Sequence, residues 1–230
     1  AESREIFFDA FDCLTTALTH DSFSHAGKYF TYDDVPMPLR PLQQPHPAYW
    51  YGSSNTIGAT WAGEHGMHFI ANGQPELGKE NIEAFRAALA KRGGAAQPKA
   101  EFPGGAAIGL LRHIVVADTD EEAMRRARSA YEVYRANFRK PLPGGAWRRP
   151  EAFGPIHHVG AYPWDPDFDQ AIAGEQLIVG SPATVKEFVE RYTAQSNCNY
   201  LVSSVQWGDL SHDEASYSLG LFMSEVMPGV

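Results

Sequence analysis

Cysteine and positive charge are both scarce in this chain of 230 residues. Its two cysteines, Cys13 and Cys198, are far apart in sequence, so we expect neither a disulfide framework nor a thiolate metal site, and a reducing, cytoplasmic setting is favoured. Lysine and arginine total 19 against 28 acidic residues, a formal net charge of −9. This balance disfavours binding to nucleic acid and to anionic membranes.

Long apolar runs and several enzyme signatures are missing as well. No stretch approaches the ~20 apolar residues of a membrane-spanning helix, so a soluble protein is expected. The chain has no Gly-x-Ser-x-Gly, His-Glu-x-x-His, P-loop or Gly-x-Gly-x-x-Gly motif, which leaves hydrolase, nucleoside-triphosphatase and Rossmann dehydrogenase functions unsupported. The nine histidines include the pair His157-His158, but no ligand spacing on a helix accompanies it, so no metal site is predicted.

What the chain does contain is an alternation of strand and helix patterns. Apolar residues at helical spacing predict a first helix at 3–19, and five prolines between 36 and 47 then predict an ordered loop with a short hairpin around Gly27. Capping signals at Thr119, Ser181 and Ser211 each announce a later helix. Four β-prone runs are predicted as strands, at 48–51, 67–71, 108–117 and 200–205.

Strands that alternate with helices favour an α/β fold with parallel strands. We expect a single domain over 1–230, with an irregular excursion at 141–174 that is rich in proline, glycine and aromatic residues. Tyr162, Trp164 and Phe168 in this excursion suggest either a lid over a substrate cavity or a loop pinned by large side chains. His158 is either a general base or a solvated loop histidine. Four strands are half of a closed (β/α)8 barrel.

Several short motifs, in order along the chain, resemble the flavin-dependent bacterial luciferase-like monooxygenase family. The motifs are Phe-Ser-His-Ala-Gly-Lys-Tyr at 23–29, Arg-Pro-Leu-Gln-Gln-Pro-His-Pro at 40–47, Gly-Ser-Ser-Asn at 52–55 with Trp-Ala at 61–62, Val-Ala-Asp-Thr at 116–119 with Glu-Ala at 122–123, Val-Gly-Ser-Pro at 179–182, and Trp-Gly-Asp-Leu at 207–210 with Glu-Val-Met-Pro at 225–228. Each is weak by itself, whereas their order and spacing together are specific.

The resemblance implies a TIM-type (β/α)8 barrel of which this chain carries about the C-terminal half, since family chains have four further strands before the matched region. It also implies a monooxygenase that uses O2 and reduced FMN, delivered by a separate flavin reductase, to oxygenate a small organic substrate. A homodimer is a further expectation. Two alternatives stay open: an oxidoreductase of the same fold that uses the deazaflavin F420, and a shortened, non-enzymatic flavin-binding homologue.

The turn Gly52-Ser53-Ser54-Asn55 is the predicted site for the FMN phosphate. It leads into a helix, so it offers backbone N–H groups, two hydroxyls, an amide and the positive end of the helix dipole. The alternative is ordinary capping of that helix by Ser54 or Asn55.

Ile70 and Asn72 match family positions beside the isoalloxazine ring, and they point to the same side of a strand. Ile70 would supply an apolar wall and Asn72 an amide for the polar edge of the ring. Core packing for Ile70 and a turn before Gly73 for Asn72 are the alternatives. Gln206 and Trp207 end the last strand but are left outside the predicted site, and no catalytic residue is assigned.

Overall fold

The computed structural model of the protein describes residues 2–72, 75–139 and 166–229. Its contacts divide the chain into two compact units, Ala1–Tyr49 and Trp50–Val230, which we describe separately. The expectation of a single domain over 1–230 stays a prediction. Among the described residues, none of the helices has both the length and the apolar character that a membrane span requires.

The first unit consists of helix α1 (Glu2–Thr19) and the antiparallel strands β1 (Ser22–Ala26) and β2 (Thr31–Pro36). The hairpin predicted around Gly27 is therefore confirmed. The Asp9 carboxylate on α1 accepts hydrogen bonds from the backbone N–H groups of Tyr29 (2.6 Å) and Phe30 (3.1 Å) in the connecting turn. Its other oxygen lies 2.6 Å from Nε2 of His25. These bonds, led by that from Tyr29, hold the pKa of Asp9 below its usual range.

The second unit is a parallel sheet flanked by helices, so the predicted α/β class is confirmed. Its strands are β3 (Trp50–Ser53), β4 (His68–Ala71), β5 (Ile108–Val116), β6 (Leu177–Gly180) and β7 (Tyr200–Ser204). Its helices are α2 (Thr56–Glu64), α3 (Pro75–Arg92), α4 (Asp120–Arg139), α5 (Phe168–Ala173), α6 (Pro182–Ser196) and α7 (His212–Leu221). A π-helical turn (Phe222–Val226) follows α7.

The nine-residue strand β5 organises this sheet, because it pairs with β4, β6 and β7. His113 pairs with Leu177 of β6 and with Ser204 of β7, so these two strands lie on opposite edges of β5. One face of the strands is covered by α3, α6 and the π-helical turn. There the ring of Phe69 stacks on Phe85 of α3 at 4.9 Å, and Ile114 packs in a cluster formed by α6 and the π-helical turn.

Two sequence expectations need correction. The prediction of four strands is wrong, since Leu177–Gly180 forms a fifth, and a four-residue apolar run is too short to reveal its pattern. The excursion at 141–174 is not irregular throughout, because Phe168–Ala173 is a helix with a capping box between Asp167 and Gln170. The Phe168 side chain is buried beneath the Arg128 guanidinium, at 4.4 Å, and so belongs to the core. His157, His158, Tyr162 and Trp164 lie outside the described residues.

Candidate functional site

The turn between β3 and α2 is held in shape by its own side chains. Asn55 is the N-cap of α2, and its Oδ1 accepts a hydrogen bond from the Gly58 N–H at 2.9 Å. The Ser53 hydroxyl is buried; it donates to the Asn55 carbonyl at 3.0 Å and accepts from the Asn55 N–H at 3.2 Å. The capping role considered for Asn55 is therefore confirmed, and the side chains of two of the four predicted residues are engaged within the turn.

The donors that remain at this turn are neutral. Ser54 is exposed, and the first helical residues, Thr56 and Ile57, carry N–H groups that an α-helix cannot pair internally. The first turn of α2 contains no acidic or basic residue, and no charged residue occurs between Trp50 and Gly63. The helix dipole therefore acts here without a competing side-chain charge, an arrangement that suits an anionic group.

Asn72 lies against this turn although it is distant in sequence. It follows the last residue of β4, and its backbone N–H donates to the Ser53 carbonyl at 2.9 Å. A Cβ atom built on Gly52 would lie 3.4 Å from Nδ2 of Asn72, so the Asn72 side chain lies directly beside position 52. The Asn72 Oδ1 is buried and has no hydrogen-bond partner among the described residues. An unpaired buried carbonyl is costly, so a ligand donor would stabilise it.

Ile70 precedes Asn72 by two residues and lies on the sheet face opposite Phe69. Its register partners are Gly52 on β3 and Gly109 on β5, and it is half-buried rather than enclosed in the core. All six predicted residues are thus brought together at the carboxyl ends of two adjacent parallel strands, which is where α/β proteins bind ligands. Their role in cofactor binding stays a prediction.

Trp207, which the sequence analysis left outside the predicted site, is a packing residue. Its buried indole Nε1 donates to the Ile114 carbonyl at 3.5 Å, and its ring lies 4.9 Å from that of His113. Gln206 is exposed.

The loops after β5 and β6 are joined by Asp120. Its carboxylate accepts hydrogen bonds from the Ser181 N–H at 2.6 Å and the Thr184 hydroxyl at 3.0 Å, and the first of these is the main cause of its lowered pKa. Nearby, the Tyr217 hydroxyl donates to Asp118 at 2.7 Å, which raises the pKa of Tyr217. The motifs at 116–123 and 179–182 therefore contain residues whose hydrogen bonds link the loop after β5 to the loop after β6.

Two strand histidines were not singled out by the sequence analysis. The His68 Nδ1 accepts a hydrogen bond from the Ala107 N–H at 3.0 Å, and burial lowers the pKa of His68. His113 lies between Tyr134 and Trp207, and burial lowers its pKa to about 4. Both rings are therefore neutral near pH 7. A histidine inside an apolar strand run was the available signal, but it does not distinguish packing from function.

The comparisons with known proteins identify relatives of this chain. The model of a family described as luciferase-like monooxygenase matches residues 1–196. A Sinorhizobium fredii protein called y4wF is 29% identical over 97% of this chain and 60% of its own length. An FMNH2-dependent dimethylsulfone monooxygenase of Pseudomonas putida is 29% identical over 46% of this chain and 26% of its own length.

Solved structures show the same fold. The monooxygenase RslO1 from Streptomyces bottropensis superimposes with a TM-score of 0.75 at 19% identity, over 99% of this chain and 62% of that one. The oxygenating constituent of 3,6-diketocamphane monooxygenase from Pseudomonas putida, solved with FMN, superimposes with a TM-score of 0.64 at 22% identity. The match covers 96% of this chain and 62% of that one. An F420-dependent secondary alcohol dehydrogenase superimposes with a TM-score of 0.62 at 16% identity, over 96% of this chain and 60% of that one. The chain therefore spans about 60% of its relatives' length, as a partial barrel.

Proposed function

Because the chain belongs to the luciferase-like monooxygenase family, we propose that it binds reduced FMN at the β3–α2 turn and oxygenates a small organic substrate with O2. The observation that carries the proposal is the neutral, dipole-bearing turn next to the buried side-chain Oδ1 of Asn72, which has no hydrogen-bond partner among the described residues. The P. putida relative that depends on FMNH2 supports this choice of cofactor. A separate reductase would deliver the reduced flavin.

The residues of the site fit an FMN molecule in chemical type. The Ser54 hydroxyl and the N–H groups of Thr56 and Ile57 would bind the phosphate, with the α2 dipole favouring its charge. The Asn72 carbonyl would accept a hydrogen bond from the polar edge of the ring, and Ile70 would cover its apolar part and exclude water. Reduced FMN, when bound, supplies the electrons that let O2 give one oxygen atom to the substrate and one to water.

An F420-dependent oxidoreductase is the second candidate, because structures that use F420 share the fold. Anaerobic titration of the chain with FMNH2, followed by admission of air, separates the candidates. Saturable binding followed by O2 uptake and an oxygenated product supports the monooxygenase. Preference for F420 without O2 consumption supports the second candidate, and FMN binding without turnover indicates a shortened flavin-binding homologue.

Ser54→Glu tests the phosphate site directly. The new carboxylate would lie in front of the α2 N-terminus and repel the FMN phosphate, so we expect FMN to bind at least about tenfold more weakly. Riboflavin lacks the phosphate and serves as the matched ligand, with its affinity expected to change little. Quenching of flavin fluorescence measures both affinities.

The same substitution is expected to leave the fold intact, because an acidic residue near a helix N-terminus stabilises the helix. If the thermal unfolding midpoint of Ser54→Glu were lower than that of the unmodified chain, a loss of FMN binding would be explained by a damaged fold. Equal affinity of the variant and the unmodified chain for FMN would show that the phosphate binds elsewhere.

A further inference from the structure

The Ser53 side chain lies between the end of β3 and the first turn of α2. The residue is only 6% exposed. A Cβ built on Gly58 would overlap the Ser53 Oγ, and it would lie 3.0 Å from the Ser53 Cβ and 3.2 Å from Cε1 of Tyr51. The helix therefore approaches the strand as closely as glycine allows. The Ser53 hydroxyl is covered by α2 rather than turned towards solvent.

Both the donor and the acceptor function of this hydroxyl are used within the turn. It donates to the Asn55 carbonyl at 3.0 Å and accepts from the Asn55 N–H at 3.2 Å. The same carbonyl accepts the Ala59 N–H at 3.1 Å, which is the first hydrogen bond inside α2. Ser53 thus holds the peptide groups on both sides of Asn55, where the helix starts.

The bond from Ser53 to the Asn55 carbonyl also sets the direction of a proposed phosphate donor. A peptide group is planar, and in the trans form its C=O and N–H point in opposite directions. The Asn55 carbonyl and the Thr56 N–H belong to one trans peptide group. Holding the carbonyl therefore holds the Thr56 N–H, which points out of the N-terminus of α2 and has no partner within the helix.

The backbone of Ser53 is itself anchored in the sheet. Ser53 pairs with Ala71 of β4 in the parallel register, and its carbonyl accepts the Asn72 N–H at 2.9 Å. The hydroxyl that orients the start of α2 is thus carried by a strand rather than by a loop. The same residue joins the phosphate turn to Asn72, on the proposed ring side of the site.

We propose that Ser53 is a positioning residue for the cofactor phosphate. Its buried hydroxyl orients the N–H groups at the start of α2 and does not itself contact the phosphate. The inference rests on the proposed function and identifies what determines the phosphate affinity of that same site. Donors that are already held in direction bind an anion with little further loss of conformational freedom, so removing the hydroxyl should weaken binding.

Ser53→Ala and Ser53→Thr test the hydroxyl, with FMN and riboflavin affinities measured by quenching of flavin fluorescence. We expect Ser53→Ala to bind FMN about five- to tenfold more weakly while its riboflavin affinity changes less than about twofold. Ser53→Thr keeps the hydroxyl and should bind FMN within about threefold of the unmodified chain. Unchanged FMN affinity in Ser53→Ala, or equal losses in both variants, would overturn the inference.

Ser218→Ala is the matched control for the loss of a buried hydroxyl. Ser218 is 2% exposed on α7, and its Oγ accepts the Val116 N–H at 2.8 Å. The variant loses a comparable buried hydrogen bond, but its FMN affinity should not change. If Ser218→Ala weakened FMN binding as much as Ser53→Ala does, the effect of Ser53 would be one of general stability, and positioning would be refuted.

Gly58→Ala reaches the same hydroxyl from the helix side. The new Cβ would displace the Ser53 Oγ from Asn55 although Ser53 is retained. We expect FMN to bind about five- to tenfold more weakly, again with little change for riboflavin. Circular dichroism checks that the variant folds. A folded Gly58→Ala protein with the FMN affinity of the unmodified chain would contradict the role assigned to Ser53.

Failure of the proposed function gives a different result from failure of this inference. If the unmodified chain binds FMN no more tightly than riboflavin, the turn holds no phosphate and both proposals fall. If the unmodified chain and Ser53→Ala both prefer FMN to riboflavin by the same factor, the phosphate site stands and only the positioning role of Ser53 is refuted.

Discussion

Gly208→Ala is expected to destabilise the second unit by roughly 4 kcal/mol, the largest effect of any substitution considered. Gly208 has φ of +63°, a conformation that strains other residues, and a Cβ there would lie 2.0 Å from the Ala130 carbonyl oxygen. The Ala130 oxygen belongs to the backbone, and the position of a Cβ is fixed by the backbone that carries it, so no side-chain rotation relieves the clash. The neighbouring Trp207 would be displaced from His113, and the cover over this part of the sheet would be lost.

Gly220→Ala is the matched control. Gly220 lies within α7, and no atom lies within 4 Å of a Cβ built there. Alanine is favoured over glycine in a helix, so this variant should gain about 0.5–1 kcal/mol. Urea unfolding followed by circular dichroism measures both changes. A Gly208→Ala protein with the midpoint of the unmodified chain would show that the turn between Trp207 and Leu210 is not packed on α4 as the structure describes.

The stability of the protein should fall as the pH is lowered from 6.5 towards 5, by roughly 1.5–2 kcal/mol from His113 alone. The folded-state pKa of His113 is lowered from 6.5 to about 4, first by burial and then by the neighbouring Arg112. Between pH 6.5 and about 4, His113 is therefore protonated in the unfolded chain but stays neutral in the folded chain. The contribution is fully present above pH 6.5 and is lost as the pH falls towards 4. His68, whose pKa is also lowered by burial, adds in the same direction.

His113→Leu should flatten this pH dependence while keeping the apolar contacts with Tyr134 and Trp207. His20→Asn is the control, since this histidine is exposed at the end of α1. Denaturant unfolding of both variants and of the unmodified protein at pH 7.0, 6.0 and 5.0 gives the slope of the free energy of unfolding against pH. Equal slopes for His113→Leu and the unmodified protein would mean that His113 is accessible to protons in the folded state.

Charge is distributed unevenly in this molecule, and the proposed phosphate site depends on that. The net charge of −9 would repel an anionic cofactor over long distances, yet the β3–α2 turn carries no acidic side chain. Donors at the turn act within a few ångströms. Salt largely screens charges that lie farther from the phosphate than the Debye length, so the net charge of the chain has little effect at the site.

The sequence was sufficient where a signal is local. The capping box of Ser211 and Glu214 predicts a helix that the structure begins at His212, and Ser181-Pro182 likewise precedes α6. The family motifs led to the turn at 52–55 because its residues are contiguous. In contrast, the predicted strand at 48–51 is displaced by two residues, since strand ends depend on pairing with β4 rather than on propensity.

Composition, periodicity and capping residues thus determined the α/β class, the helix starts and the turn that offers neutral donors. Only the tertiary structure decided that β6 pairs with β5, that Asn72 lies beside Ser53, and that Ile70 is paired with Gly52 on one side and with Gly109 on the other. The physical reason is that hydrogen-bond register between strands depends on contacts between segments far apart in sequence, and a shift of one residue would turn each of these side chains to the other side.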